Sequence, residues 1–197
     1  MIDKILIVYT SKRGSTEKYA NWIAKGLCEF ASSEDMVIQI DCMPFADFDI
    51  NGIGDYDIVI YGGWLRGSGI VGFDKIKSRV QEDPEKFIIY CCGISDCNPA
   101  NYMQICDINF GGKADLSKAV LYYCPGAYDP KSVKGMDKLM MMFAKHILLK
   151  GKVRGEEGAA YNMMKMIDEG CDLTDRKYAE AVVKQVILTV KQGESKG

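Results

Sequence analysis

Five short runs of apolar, largely β-branched residues punctuate this 197-residue chain: residues 4–9 (KILIVY), 36–41 (MVIQID), 57–61 (DIVIY), 87–92 (FIIYCC) and 119–124 (AVLYYC). A strand with one wet face alternates apolar and polar residues. A near-continuous apolar run is instead a strand covered on both faces, as in a parallel sheet. Helical spacing follows several of the runs. From Thr16 onward Tyr19, Ala20, Ile23, Ala24 and Leu27 share a face, with Ser15 or Thr16 expected as the cap. Phe73, Ile76 and Val80 predict a helix over about 73–82, stopped near Pro84. A last helix is expected over about 174–191, capped by Asp172 or Thr174 and carrying Tyr178, Ala181, Val182, Val186 and Leu188 on its apolar positions. Strands alternating with helices predict an α/β fold, a three-layer sandwich around a five-stranded parallel sheet. The length reads as a single domain over 1–197.

The loop after the first run, Thr10-Ser11-Lys12-Arg13-Gly14-Ser15-Thr16, joins a buried strand to a helix through Ser, Thr and Gly. The first N–H groups of a helix are unpaired, its dipole is positive there, and short hydroxyls add donors, so the segment suits an anion. Gly14 lets the backbone approach it closely. The loop lacks both G-x-x-x-x-G-K-[ST] and G-x-G-x-x-G, so ATP and dinucleotide sites are not indicated. The plain alternative is an ordinary strand-to-helix turn. The pattern resembles the flavodoxin signature, roughly [ST]-x-x-G-x-T directly after the first strand, carried here by Ser11, Gly14 and Thr16. That resemblance implies a flavodoxin-like sheet of order 2-1-3-4-5 and FMN as cofactor. Its monophosphate would be held by Ser11, Lys12, Arg13, Gly14, Ser15 and Thr16. Ligands in such sheets lie at the strand carboxyl ends beside the switch point between strands 1 and 3, so the loops after strands 1, 3 and 4 should converge.

The third run leads into Gly62, Gly63, Trp64, Leu65, Arg66, Gly67 and Ser68, and the fourth into Cys92, Gly93, Ile94 and Ser95. A flat isoalloxazine needs an aromatic or apolar wall and backbone groups at its edge, and glycine permits the required peptide orientations. These two loops are therefore the expected ring site. Trp64 is the candidate wall, or else a surface tryptophan covering a core edge. Arg66 would neutralise the anionic reduced ring or receive a substrate acid, or else be a solvated loop charge. Many flavodoxins place a second aromatic after strand 4; only Tyr102, some residues later, is offered here. An open second ring face would suit a flat substrate.

The formal net charge of −2 offers no nucleic-acid footprint. No secretory signal or membrane-spanning run is read, which predicts a cytoplasmic protein. The eight cysteines (Cys28, Cys42, Cys91, Cys92, Cys97, Cys106, Cys124 and Cys171) then read as reduced thiols. Cys91, Cys92, Cys97 and Cys106 form no C-x-x-C pair, so no metal site is expected. His146, the sole histidine, reads as a surface or packing residue, and no acid–base catalyst is expected.

Between the fifth run and the last helix stand about 48 residues, an insert over roughly 125–173 that is too long for a plain connection. Its middle, 136–150 (MDKLMMMFAKHILLK), is helix-forming, with Met136, Leu139, Met140, Phe143 and Ile147 facing one way and Met141, Met142, Leu148 and Leu149 elsewhere. Residues 131–154 carry seven cations (Lys131, Lys134, Lys138, Lys145, Lys150, Lys152 and Arg154) against Asp137 alone, a net of +6 that leaves −8 for the remainder. A basic, Met-rich element suits an anionic membrane surface, a protein partner, or a flat apolar substrate with carboxylates. A buried helix with solvated lysines is the plain alternative. The insert is expected to be an association surface rather than a cofactor site.

The chain is also similar to the flavodoxin-domain group that contains menaquinone-dependent protoporphyrinogen dehydrogenase. That likeness rests on residues 10–16, on Trp64-Leu65-Arg66, on Gly126-Ala127-Tyr128-Asp129-Pro130, on Met136-Asp137-Lys138-Leu139-Met140 and on Asp172-Leu173-Thr174-Asp175. It excludes roughly 151–171. It implies an FMN-dependent oxidoreductase acting on a quinone or porphyrinogen-like substrate, with a peripheral position at the inner membrane face. The competing readings are a soluble flavodoxin electron carrier serving a redox partner protein, and a flavin-free phosphate-binding module.

Overall fold

The structure is a computed structural model and describes residues 2–111, 120–143, 145–146 and 158–194. The main sheet contains β1 (Lys4–Thr10), β2 (Gln39–Pro44), β3 (Ile58–Arg66), β4 (Gly69–Ile70), β5 (Phe87–Gly93) and β6 (Val120–Pro125). Its order is β2-β1-β3-β5-β6, all parallel, with β4 pairing antiparallel to β3. Counting only the five long strands, this is the expected order 2-1-3-4-5. The short β4 adds a sixth strand to the sheet.

Side-chain alternation divides the core in two. Ile5, Ile7, Ile58, Ile60, Ile88 and Tyr90 point to one face, where α1 (Ser15–Ser33) and α6 (Arg176–Glu194) cover them with Tyr19, Ile23, Leu27, Val182 and Val186. Leu6, Val8, Val59, Tyr61, Ile89 and Cys91 point to the other, beneath Phe73, Ile76, Val80, Ile105 and Phe110. Both faces are covered, which is why residues 5–8 are all at most 1% exposed and read as an unbroken apolar run.

Several boundaries differ from the sequence reading. The second strand starts at Gln39 rather than 36 because α1 ends in a left-handed turn: Asp35 has φ 54°, and the Met36 N–H bonds back to the Ala31 carbonyl at 2.9 Å. The exit therefore consumes residues 36–38, and Val37 is 95% exposed. The helix expected over 73–82 is a 3-10 turn (Phe73–Lys75) followed by α2 (Lys77–Glu82). The last helix begins at Arg176, after Asp175, whose carboxylate accepts from the Lys177 N–H at 3.0 Å; neither Asp172 nor Thr174 caps it. Helix α3 (Pro99–Phe110) is an addition, started by Asn98, which accepts from the Asn101 N–H at 2.9 Å, with Pro99 in its first turn.

The insert begins and ends at a two-stranded antiparallel pair, β7 (Ala127–Tyr128) and β8 (Cys171–Asp172). Between them lie α4 (Gly135–Phe143) and α5 (Ala159–Glu169); Lys145, just beyond α4, forms an ion pair with Asp168 of α5. Ala119, Ile147, Leu148, Leu149, Lys150, Lys152 and Arg154 lie outside the described residues. Among the described residues no helix is long and apolar enough to cross a membrane.

Candidate functional site

The loop after β1 is built by its glycine. Gly14 stands at the N-cap of α1 with φ 87° and ψ −20°, a left-handed conformation, and no side chain caps the helix. Ser15 and Thr16 are therefore not caps; both lie inside the first turn. Their hydroxyls face other tasks. Ser15 Oγ accepts from the Ala127 N–H at 2.9 Å, which fastens the chain after β6 to this loop. Ser11 Oγ accepts from the Gly14 N–H at 3.2 Å. The first intrahelical amide is that of Lys18, bonded to Gly14 O at 2.8 Å, so the amides of Ser15, Thr16 and Glu17 precede it at the positive end of the helix.

Thr16 is 1% exposed, and its Oγ1 is buried without a hydrogen-bond partner. Beside it lies the Cys92 thiol, which burial pushes up to about 12 against the opposing effect of the Thr16 hydroxyl. A protonated sulfur is a weak partner and leaves that oxygen unsatisfied. From behind, the buried Tyr90 hydroxyl donates to Thr16 O at 2.8 Å. The Tyr90 ring reaches that carbonyl by crossing Gly62, where a Cβ would stand 2.0 Å from Tyr90 Cζ. Gly62 thus serves the loop through Tyr90. Gly63 is likewise closely packed within β3, its Cβ position 2.4 Å from Ile70 Cγ2.

The loop after the third long strand is a hairpin. β3 continues to Arg66, turns at Gly67-Ser68 and returns as β4, pairing Leu65 with Ile70 and Arg66 with Gly69. Gly67 has φ 61°, as the first central position of a II′ hairpin turn requires. After β5, the Gly93 carbonyl accepts from the Gly126 N–H at 2.7 Å and the Ser95 carbonyl from the Tyr123 hydroxyl at 2.6 Å. The three loops do converge, on a cavity of about 700 Å³. Lys12, Arg13, Ser15 and Thr16 line it, as do Trp64 to Ser68 and Cys92 to Ser95. Ser11, Gly14, Gly62 and Gly63 do not.

The remaining wall comes from outside these loops. Gly126, Ala127 and Tyr128 line the cavity, as do Asn101 and Ile105 of α3, and so does the insert: Leu139, Met140, Met141 and Phe143 of α4 and Met163 of α5. Helix α4 also inverts the expected burial. Met136, Leu139, Met142 and Phe143 are half or more exposed, whereas its buried residue is the acid Asp137. Asp137 Oδ2 accepts from Lys12 Nζ at 2.6 Å and from Arg13 NH2 at 3.2 Å, and Oδ1 lies 3.6 Å from Arg66 NH2. The hydrogen bond from Lys12, then the charges of Lys12, Arg13 and Arg66, hold its carboxyl below the usual range against the effect of burial. Lys12 and Arg66 also stand over the Trp64 ring, 5.4 and 5.0 Å from its centroid. Ion pairs at its one buried residue tie helix α4 to the phosphate loop and the hairpin.

His146 lies outside the cavity and donates from Nδ1 to the Met142 carbonyl at 3.0 Å. Among the described residues no group of three His, Cys, Asp or Glu is placed to hold a metal. Cys91, Cys92 and Cys124 are buried, and burial raises each thiol above its ordinary value.

A family model described as the flavodoxin domain matches residues 6–154, about three quarters of the chain. The chain belongs to the flavodoxin domain family. Members of this family generally bind FMN. Structures similar to this flavodoxin domain include oxidised flavodoxin 1 from Bacillus cereus, 15% identical over 74% of this chain and 99% of that one, with a TM-score of 0.37. A WrbA-like flavodoxin from Agrobacterium tumefaciens is 11% identical over 84% and 96%, with a TM-score of 0.42. Two-electron reduced Megasphaera elsdenii flavodoxin is 17% identical over 60% and 82%, with a TM-score of 0.37. No curated protein matches the sequence. Overlaps this loose add nothing to the fold, which rests on the family match and the sheet order. The residues present fit the family's cofactor: a glycine-opened helix end, three leading amides and an unpartnered buried hydroxyl beside the cavity suit a phosphate.

Proposed function

We propose that this flavodoxin domain is an FMN-dependent oxidoreductase, in which the insert walls the substrate side of the flavin site. Ser11, Gly14, Ser15, Thr16 and the amides between them would hold the phosphate, with Lys12 and Arg13 supplying charge. The hairpin from Trp64 to Ser68 and the segment from Cys92 to Ser95 would hold the ring. When bound, the flavin supplies the electron and hydride chemistry; the protein positions it and controls access. The observation that carries the enzyme reading is the cavity wall formed by Leu139, Met140, Met141 and Phe143 opposite those loops. A carrier handing electrons to a partner protein needs the cavity for its flavin alone; the apolar α4 side chains across from the ring loops give it a further wall suited to a second, apolar molecule. An apolar substrate bearing acid groups suits it, because the rim carries Lys12 and Arg66, each about half exposed. The porphyrinogens of the protoporphyrinogen dehydrogenase group, apolar macrocycles with propionate side chains, fit that description; quinones, which carry no acid group, suit the apolar wall alone.

The outward surface of the insert, with exposed Met136 and Met142 beside Lys131, Lys134 and Lys138, would contact an anionic membrane face or a negatively charged partner. The cofactor is tested by titrating the apoprotein with FMN, riboflavin and FAD. FMN should bind tightest, riboflavin more weakly for want of the phosphate, and FAD not comparably, since no dinucleotide fingerprint is present. The enzyme reading is tested by anaerobic turnover of the loaded protein with quinones, porphyrinogens and small electron-transfer proteins. Reaction with the last alone would establish a carrier.

A further inference from the structure

We propose that Asn109 is a positioning residue for the flavin ring. By clamping the hairpin at 66–70 it would set both the affinity and the potential of a cofactor it does not touch. This rests on the FMN reading above.

Asn109 lies on α3 and is 6% exposed, among side chains of the apolar cluster that contains Ile70, Phe73, Ile105 and Phe110. A buried amide is unfavourable there unless its groups are bonded. All three bonds it makes are short. Oδ1 accepts from the Ile70 N–H at 2.8 Å, and Nδ2 donates to Ser68 O at 2.8 Å and to Ile105 O at 2.7 Å. The bond to Ile105, one turn back on the same helix, fixes which way the amide faces. The other two then grip the returning limb of the hairpin at its turn and at β4. Such a clamp is needed because β4 is two residues long and its ladder with β3 has only two pairs. A ladder that short does not hold its own register.

The clamped segment is the one that lines the cavity through Arg66, Gly67 and Ser68. Reduction changes N5 of a flavin ring from hydrogen-bond acceptor to donor. A loop held in one backbone orientation therefore binds the two redox forms unequally, and the clamp that holds it shifts the potential. Asn109 itself is not among the cavity-lining residues.

The test compares full-length unmodified protein with Asn109→Leu, Asn109→Ser and, as a stability control from the same helix, Phe110→Leu. Affinity for FMN and for riboflavin, the midpoint potential of bound FMN, and hydrogen exchange at the Ile70 amide are measured. The Asn109 variants should weaken FMN and riboflavin by the same factor, about tenfold, because the phosphate loop is untouched. The potential should move by about 30 mV for each tenfold by which the losses of the oxidised and reduced forms differ. Ile70 exchange should accelerate. Phe110→Leu should lower thermal stability and leave the potential in place. Asn109→Ser keeps the test alive if the leucine variant fails to fold, and fast Ile70 exchange in the unmodified protein would overturn the clamp without any variant. If the Asn109 variants lose stability but keep affinity and potential, the residue is a structural brace and the proposal falls. If the unmodified protein binds neither flavin, the cofactor reading itself fails and takes this inference with it.

Discussion

Thr16→Val should raise the stability of the apoprotein and lower its affinity for FMN. In the protein alone the Thr16 hydroxyl is a liability: the residue is 1% exposed and Oγ1 has no partner. An unpaired buried hydroxyl costs about 1–3 kcal/mol. Valine keeps the β-branched shape and nearly the same helix propensity while replacing the hydroxyl by a methyl. Taking the lower end, because Cys92 is close enough to relieve part of the cost, the apo variant should gain about 1 kcal/mol. In a domain of this size that is a rise of about 2–4 °C in Tm. With FMN the sign reverses. A hydroxyl bonded to a charged phosphate contributes about 1.5–3 kcal/mol, so the Kd should rise roughly 10- to 150-fold. Riboflavin has no phosphate and should bind both proteins alike. Thermal melts of the two apoproteins and flavin-fluorescence titrations supply every quantity. A valine variant that melts lower and binds FMN as tightly as the parent would refute the reasoning, because Oγ1 would then have an unrecognised partner and the phosphate would lie elsewhere.

Three further outcomes follow from the same geometry. The Asp137 carboxyl is depressed, so the stability it contributes is present above its unfolded value of about 4 and is lost as pH falls through the folded value. Acidified protein and Asp137→Asn at neutral pH should show the same loosening of α4, read as proteolytic cleavage within the insert; a normal cleavage pattern in the asparagine variant would dismiss the anchor. Gly62→Ala forces a Cβ into the Tyr90 ring and should cost about 1–3 kcal/mol, and Tyr90→Phe about 1 kcal/mol, both with weakened FMN binding because the Thr16 carbonyl loses its support. Ordinary FMN affinity in both variants would cut the link from β3 to the loop. Replacing Lys131, Lys134 and Lys138 with glutamate should abolish salt-sensitive association with anionic vesicles and leave the FMN spectrum unchanged, whereas undiminished association would remove the insert surface from the proposal.

The sheet was legible because burial on both faces writes itself directly into composition. Ile5 to Val8, Ile58 to Tyr61 and Phe87 to Cys92 are apolar at every position and buried at every position. The strand ends were less legible, since they depend on backbone events with no apolar signature. The left-handed exit at Asp35 delays β2, and the hairpin beyond Tyr61 extends β3 to Arg66. Helix α3 left a readable mark in Asn98-Pro99, an N-cap followed by proline, but its apolar residues do not make a clean stripe. Its buried face includes Asn109, a residue that pattern reading assigns to the surface.

The site divides along the same line. Loops joined directly to strand ends were found because the fold sends them there. Gly62 and Gly63 were assigned to the ring by adjacency, whereas the structure uses their missing side chains to admit Tyr90 and Ile70. The insert was hardest to read. The one acid of residues 131–154 stands among many apolar and basic residues, so periodicity marks it as an exposed exception. Only the approach of Lys12 and Arg13, 125 and 124 positions away in sequence, makes Asp137 the buried residue of α4 and frees the methionines and Phe143 to face outward and into the cavity. Long-range charge pairing leaves no local pattern, because any acid at any distance can serve. On the FMN reading it also couples two parts of the site. The phosphate and Asp137 draw on the same Lys12 and Arg13, so loading the cofactor redistributes the charge that holds α4, and the insert wall and the phosphate loop respond to each other.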